Sequence, residues 1–408
     1  MSEQDLPQDN GDGDDIPIDD ILPPERKRLE PAKKAYQPWH KPRKQHVRRA
    51  WAGNVFRLMG SIHVPRGSKP LFRYLTLPGA DMLDVMSLKD SCEKRGFQLH
   101  YLGFNASKAE SQEEQSLTLA HHQMKNQCWV DEHSHIAKER LENITSRGDS
   151  IAYKTARAHG PYHAINIDLC GNIASHATDG GPGTCLDALV KIIQIQTELA
   201  QSNWLLFVAT RVQKKQIAEK YLEAFVNTIR QNAEHSAAFA EGLDNLFAGH
   251  ETGTESALSA PMQLPDRAFK DLFCLGLSKW LLHCLQTARP PQGLRMLRSY
   301  YFSVCEGEPD MLSLVFRIER SESRAVDPTQ IVDCALPPPK DINVEQLSLG
   351  ILKKTTDLVD LDSMLKGDVE LRDSLIKETA RLLKLANYDV TDYPGWAYDP
   401  SSSQGDAD

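Results

Sequence analysis

Tyr162-His-Ala-Ile-Asn-Ile-Asp-Leu-Cys-Gly-Asn172 decides the reading of this chain. An apolar run ends in Asp168 and is followed at once by small residues. A strand buried on both faces that stops at a carboxylate puts that group on the carboxyl edge of a parallel sheet, where open α/β folds bind ligands. Downstream, Leu186 to Ala200 has helical composition, and Asn203-Trp-Leu-Leu-Phe-Val-Ala-Thr210 reads as a second buried strand. Together they predict a βαβ unit with Asp168 at its switch edge.

Working outward, Phe72-Arg-Tyr-Leu-Thr-Leu-Pro-Gly79 predicts a first strand running into a tight turn. A helix from Asp81 to Lys94 follows, with Gly96 as its C-cap. Gln98 to Asn105 predicts a second strand, Ser107 to Lys125 a helix, and Asp149 to Tyr153 a weak strand. Beyond Thr210, helices are expected over Gln213 to Asn232 and Ala237 to Leu246, then a loop from Glu251 to Pro265. Asp266 to Thr287 is apolar enough to cover a buried sheet face. Arg298 to Cys305 and Met311 to Ile318 read as strands separated only by Glu306 to Asp310, hence an antiparallel hairpin.

The fold class expected is α/β, a Rossmann-like, seven-stranded, mostly parallel sheet with a late antiparallel hairpin and a small C-terminal helical appendage. The organisation that follows is an acidic disordered tail (1–22), a basic proline-rich arm (23–50), the Rossmann domain (51–325), a linker (326–343), the helical appendage (344–388) and a second acidic tail (389–408).

Composition narrows the function classes. The 408 residues, 40% hydrophobic and 25% charged, can bury a full core. No run of about 18 apolar residues is present, so no membrane span is expected. The acidic start lacks an apolar segment of secretory type, and eight cysteines occur without a CxxC pair. Both features predict a cytoplasmic protein with reduced thiols.

The net charge of −9 argues against a wholly basic surface, yet its distribution is uneven. Residues 1–20 carry acids only. From Arg26 to Arg49 the sign reverses, with Tyr36, Trp39 and His40 interleaved and Pro31, Pro38 and Pro42 expected to keep the arm extended. Cations and aromatics on an extended arm suit phosphate contacts and base stacking. Arg26, Lys27, Arg28, Lys41, Arg43, Lys44, Arg48 and Arg49 are the candidate nucleic-acid contacts. The plainer account is a solvated linker that docks on an acidic protein partner or on the chain's own acidic tail.

The order of elements resembles the class I S-adenosylmethionine-dependent methyltransferase fold over Phe72 to Ile318. Asp168-Leu-Cys-Gly171 is similar to the D-P-F-G form of motif IV in tRNA guanine-N2 dimethyltransferases and three-Cys-motif partner proteins, matching at Asp168 and Gly171. The resemblance implies S-adenosylmethionine as cofactor, bordered by Leu77, Pro78, Gly79 and Asn105. It implies a catalytic turn of Asp168, Leu169, Cys170 and Gly171. In that turn Asp168 and the Leu169 carbonyl would accept the N–H groups of an amine aimed at the methyl donor. Arg73 and Asn105 stand where such enzymes carry acids, and only Gly79 matches their glycine-rich turn. The plainer reading has Asp168 N-cap the segment that follows it.

Other constellations have bland readings. His121, His122, Cys128, Asp131, Glu132, His133 and His135 match no zinc-ligand spacing, and a polar surface helix accounts for them, so no metal is expected. Asp179-Gly-Gly-Pro-Gly183 lacks the Lys-Ser/Thr of a P-loop. Cys170 and Cys185 suit small-residue packing. Two functions stay open: a nucleic-acid methyltransferase, favoured by the Asp168 turn, and a catalytically inactive scaffold or nucleic-acid-binding subunit of a multi-protein system of bacterial defence or mobile-element type, favoured by the eroded cofactor motifs. In either case Asp168→Asn is expected to leave the fold intact, because it keeps the side-chain volume.

Overall fold

The computed structural model describes residues 34–65, 67–146, 150–178, 181–304, 310–320 and 342–399. The expected acidic tail 1–22, Arg26, Lys27, Arg28, residues 306–309 of the expected hairpin connection, residues 326–341 of the expected linker and residues 400–408 lie outside those residues. Two compact units divide the chain, Met1–Ala35 and Tyr36–Asp408, and the second holds every element described below.

The second unit opens with a short 3-10 turn, Pro38–His40, and the long helix α1 (Pro42–Met59). This corrects the expectation of an extended arm. Pro42 stands at the first helical position, where its missing N–H is not needed and its φ already suits the helix. Val47, Trp51, Val55 and Leu58 then form a buried stripe at helical spacing.

β1 (Leu71–Thr76) is followed by two short helices, α2 (Leu83–Met86) and α3 (Lys89–Arg95), where one was expected. Gly96 caps α3 at φ 71°, the left-handed conformation for which glycine is suited. Next come β2 (Gln98–Phe104), α4 (Gln112–Lys125) and the three-residue β3 (His135–Ala137). The weak strand expected at 149–153 is instead the start of a helix, α5 (Ile151–His159). Ser150 caps it, its Oγ accepting the Tyr153 N–H at 3.1 Å.

β4 (Ala164–Asp168), α6 (Cys185–Leu199) and β5 (Trp204–Arg211) form the βαβ unit that the sequence predicts. α7 (Glu219–His235) and α8 (Ala237–Ala248) follow, and the expected loop carries a short helix, α9 (Thr254–Ser259). α10 (Asp266–Thr287) has the bounds read from sequence. β6 (Gln292–Met296), β7 (Tyr300–Phe302) and β8 (Met311–Arg320) lead to α11 (Val344–Thr356), β9 (Val359–Asp360), α12 (Leu361–Gly367), α13 (Val369–Leu385) and α14 (Tyr393–Tyr398).

Among the described residues, the strands join one nine-stranded sheet of order β3-β2-β1-β4-β5-β8-β7-β9, with β6 also paired to β8. Neighbours from β3 through β5 run parallel, and β8 lies antiparallel to β5, β6 and β7. Nine strands stand where seven were expected: the strand at 149–153 is absent, and β3, β6 and β9 are added. β6 precedes the expected strand 298–305, within which β7 lies, and between the two the Ser299 hydroxyl accepts the Val315 N–H at 3.1 Å. β9, in a stretch read as helical, pairs parallel with β7.

Both sheet faces are covered. One carries Leu75, Ile165, Ile167, Leu206 and Val208 against α5, α6, α7 and α10. The other carries Phe72, Tyr74, Ala164, Phe207 and Ala209 against α1, α4 and the C-terminal helices. The C-terminal helices are present as expected, and they pack on the sheet: Leu375, Ile376, Leu382 and Tyr393 share the core of the second face. Tyr393, expected in an acidic tail, is fully buried and donates its hydroxyl to the His40 carbonyl at 2.6 Å. Among the described residues no helix is long and apolar enough to cross a membrane.

Candidate functional site

The strand order turns back on itself between β1 and β4: the chain runs outward through β2 and β3, then returns to build β4 and β5 on the other side. At such a switch point the turns leaving adjacent strands diverge and leave a crevice. Thr76 pairs with Asn166 across it, and Asp168 pairs with Ala209. A cavity of about 900 Å³ opens there. Leu77, Pro78, Gly79, Asn105, Asp168, Leu169 and Cys170 all line it, as expected from strand geometry. Gly171 is not part of the wall; its carbonyl accepts the Arg211 N–H at 3.0 Å.

Asp168 does not cap a helix. α6 begins only at Cys185, capped by the Thr184 hydroxyl and Asp187. Both Asp168 carboxylate oxygens instead accept from the Lys44 ammonium of α1, each at 2.5 Å. Asp84 of α2 stands beside them and accepts from Arg48 Nε at 2.6 Å. One turn apart on α1, Lys44 and Arg48 thus set two cations against two nearly buried carboxylates. Burial pushes the Asp168 carboxyl above its ordinary range and Asp84 adds to this, while Lys44 works against both. Burial opposes ionisation of Asp84 too, but Arg48 and Lys44 overcome it and hold Asp84 below its ordinary value. The Lys44 ammonium also lies 5.0 Å from the centre of the Trp51 ring.

The turn after β1 is shaped by backbone. Met82, buried and lining the cavity, has φ 51°. This left-handed non-glycine residue reverses the chain between Gly79 and α2. No neighbour lies within 4 Å of where a side chain on Gly79 would begin, so the turn is open to an approaching ligand. Gly103 is glycine by necessity, since a Cβ there would lie 2.9 Å from the Pro78 ring.

Asn105 serves this turn internally. Its Nδ2 donates to the Pro78 carbonyl at 2.9 Å, and its Oδ1 accepts from the Ser107 N–H at 2.8 Å and from the Ser107 hydroxyl. The amide is therefore a clamp between the β1 and β2 turns. Carboxylates that sequence reading missed, Glu113, Glu139 and Glu142, line the cavity with it.

The basic stretch is also used internally. Lys41 donates to the carbonyls of Trp396 and Asp399 at 2.9 and 2.7 Å. Arg43 meets Asp362 at 2.8 Å, and Arg49 forks onto both oxygens of Glu378 at 2.6 and 3.0 Å. Together with Lys44 and Arg48, these side chains stitch α1 to the sheet and the C-terminal helices. They do not form the free basic stripe that an extended arm implied. Lys44 and Arg48, expected as nucleic-acid contacts, belong instead to this site, and the 44/48 spacing beside the apolar 47/51/55 stripe of a helix carried that signal, whereas Asp84 was missed.

The histidine-rich segment forms hydrogen bonds within the fold. Its His121 Nδ1 lies 2.7 Å from the Tyr101 hydroxyl, and its Asp131 Oδ2 lies 2.5 Å from Nδ1 of His100, whose Nε2 lies 2.8 Å from His159 Nδ1. Burial holds the pKa of both His121 and His159 down at about 4. Among the described residues no group of three or more His, Cys, Asp or Glu is arranged to hold a metal ion. Cys185 is buried, whereas Cys170 is exposed at the cavity wall.

No curated protein matches this sequence. Among solved structures it is similar to "Putative hemolysin from Streptococcus thermophilus" at 7% identity and a TM-score of 0.28, with 74% of each chain covered. A likeness of that degree does not bear on fold or function. The family comparison is of a different order: the model of the PP_RS20740-like family matches residues 33–398, a span that takes in α1, the whole sheet and α14. The chain belongs to the PP_RS20740-like family.

Proposed function

We propose that this protein is an S-adenosylmethionine-dependent methyltransferase-like protein whose cavity at the strand ends takes the nucleoside portion of the cofactor. The observation that carries the reading is the cavity of about 900 Å³ at the β1/β4 switch point, with Asp168 at the end of its central strand. Its volume is within the usual range for small-molecule sites. An antiparallel strand, β8, inserted between β5 and β7 supports the same reading, because the resemblance found in sequence implies such a sheet.

The residues present suit that cofactor. The open turn at Pro78–Gly79 leaves backbone accessible, and Glu113 and Glu142 offer carboxylates to ribose hydroxyls beside the committed Asn105. A sulfonium would find the carboxylates Glu113 and Glu142 in a wall that also carries Arg140 and Arg211. When bound, the cofactor would supply an electrophilic methyl group; the chain's part is to position an acceptor and accept its N–H at Asp168. The basic stretch alone speaks for nucleic acid as a partner, and among the described residues its cations at Lys41, Arg43, Lys44, Arg48 and Arg49 are engaged within the fold, while Arg26, Lys27 and Arg28 lie outside those residues.

A second reading, a non-catalytic scaffold of the same fold, is favoured by one observation: Lys44 already occupies both oxygens of Asp168. Calorimetric titration of the full chain with S-adenosylmethionine and S-adenosylhomocysteine separates the two. Saturable one-to-one binding, weakened at least tenfold by Glu113→Ala with Glu142→Ala, supports the first reading. Absence of binding of either compound at millimolar concentration leaves the scaffold.

A further inference from the structure

We propose that Lys44 is an internal stand-in for the site's own ligand, and that the Asp168 end of the cavity is built to receive an aliphatic ammonium group, as on a lysine side chain or a polyamine. The inference deepens the methyltransferase-like reading by naming a substrate class, and it rests on that reading for what happens to the amine afterwards.

Three observations converge on it. A single Nζ meets both Asp168 oxygens at 2.5 Å, so the carboxylate is presented end-on to one small cation. The Trp51 ring, 5.0 Å away, supplies the aromatic face that favours a partly desolvated ammonium. Lys44, Asp168 and Asp84 all line the cavity, so the pair is reached from the ligand's side.

Charge decides between an aliphatic and an aromatic amine. Asp84 is neutralised by Arg48, and Asp168 by Lys44. A nucleobase amine is neutral, and on displacing Lys44 it would leave the Asp168 charge nearly buried and uncompensated, which is costly. An alkylammonium displaces Lys44 charge for charge. Lys44 itself lines the cavity, so its displaced ammonium is released into the cavity's own volume. No group transfer is needed for this exchange.

The test uses n-butylammonium as the probe, with n-butanol as its neutral counterpart, titrated calorimetrically into the full chain at neutral pH. Wild type should bind n-butylammonium weakly and saturably, because the probe must displace Lys44. Lys44→Met, which keeps a long unbranched side chain and removes the competing charge, should bind it at least tenfold more tightly and should ignore n-butanol. Lys44→Met combined with Asp168→Asn should lose the binding. If Lys44→Met does not fold, Lys44→Gln replaces it in the same comparison. Equal affinity of wild type and variant, equal response to n-butanol, or binding that survives Asp168→Asn would each overturn the proposal. The probe carries no methyl donor, so a failure here is distinct from a failure to bind S-adenosylmethionine.

Discussion

Lys44 of α1 and Asp168 at the end of β4, far apart in sequence, meet through two contacts of 2.5 Å at the wall of the strand-end cavity. This pair ties the first helix to the central strand and fills the position from which Asp168 would hold a ligand.

The pair changes what Asp168→Asn should do. Sequence reading expected an intact fold; the structure shows that the substitution removes the counter-charge of a nearly buried ammonium. Removing one partner of a buried pair costs about 3–5 kcal/mol. Urea unfolding should report a loss of that order for Asp168→Asn. Combining it with Lys44→Met should restore more than half of the loss. Strict additivity of the two changes, within about 0.5 kcal/mol, would mean that the residues do not interact.

α1 should behave as core and not as an arm. Trp51 is buried and stacks on Phe207 of β5 with ring centres 5.5 Å apart. Trp51→Ala should therefore destabilise the protein by about 3–5 kcal/mol. Arg49→Ala, which breaks a half-exposed pair with Glu378, should cost only about 0.5–1 kcal/mol. Similar small effects for both in equilibrium unfolding would contradict the placement of α1.

Stability should fall as pH drops below 6.5. Burial, with Arg73 nearby, lowers the pKa of His163 from 6.5 to about 4, and its Nδ1 accepts the Arg73 N–H at 2.9 Å. Between those values the unfolded chain binds a proton that the folded chain refuses, so stability is present above pH 6.5 and is lost as pH falls toward 4. The slope for one such group approaches about 1.4 kcal/mol per pH unit. His163→Asn keeps an acceptor and removes the titration. It should flatten the loss between pH 6 and pH 5, and an unchanged slope in urea melts at those two pH values would count against His163 as a contributor.

Particular residues explain what sequence could reveal. The βαβ unit ending at Asp168 was legible because buried parallel strands are continuous apolar runs with sharp ends. α10 was legible because Asp266 and Pro290 bracket a long apolar stretch. α1 is hidden in the sequence because Pro38 and Pro42 suggest an extended chain, whereas proline at a first helical position starts a helix. That suggestion turns Lys44 and Arg48 into surface contacts. Asp84 was hidden for another reason. It reaches the cavity through the left-handed turn at Met82, a conformation that side-chain type does not advertise. The role of Asn105 was obscured because the Pro78 carbonyl and the Ser107 N–H that claim its amide can be identified only in three dimensions.

The most direct test of the central claim locates the cofactor. Full-length protein irradiated with methyl-labelled S-adenosylmethionine should carry the label on peptides from the cavity wall, those containing Leu77 to Asp84 or Asn105 to Glu113. Excess S-adenosylhomocysteine should remove it. Label confined to peptides remote from the wall, or label indifferent to the competitor, would contradict the account.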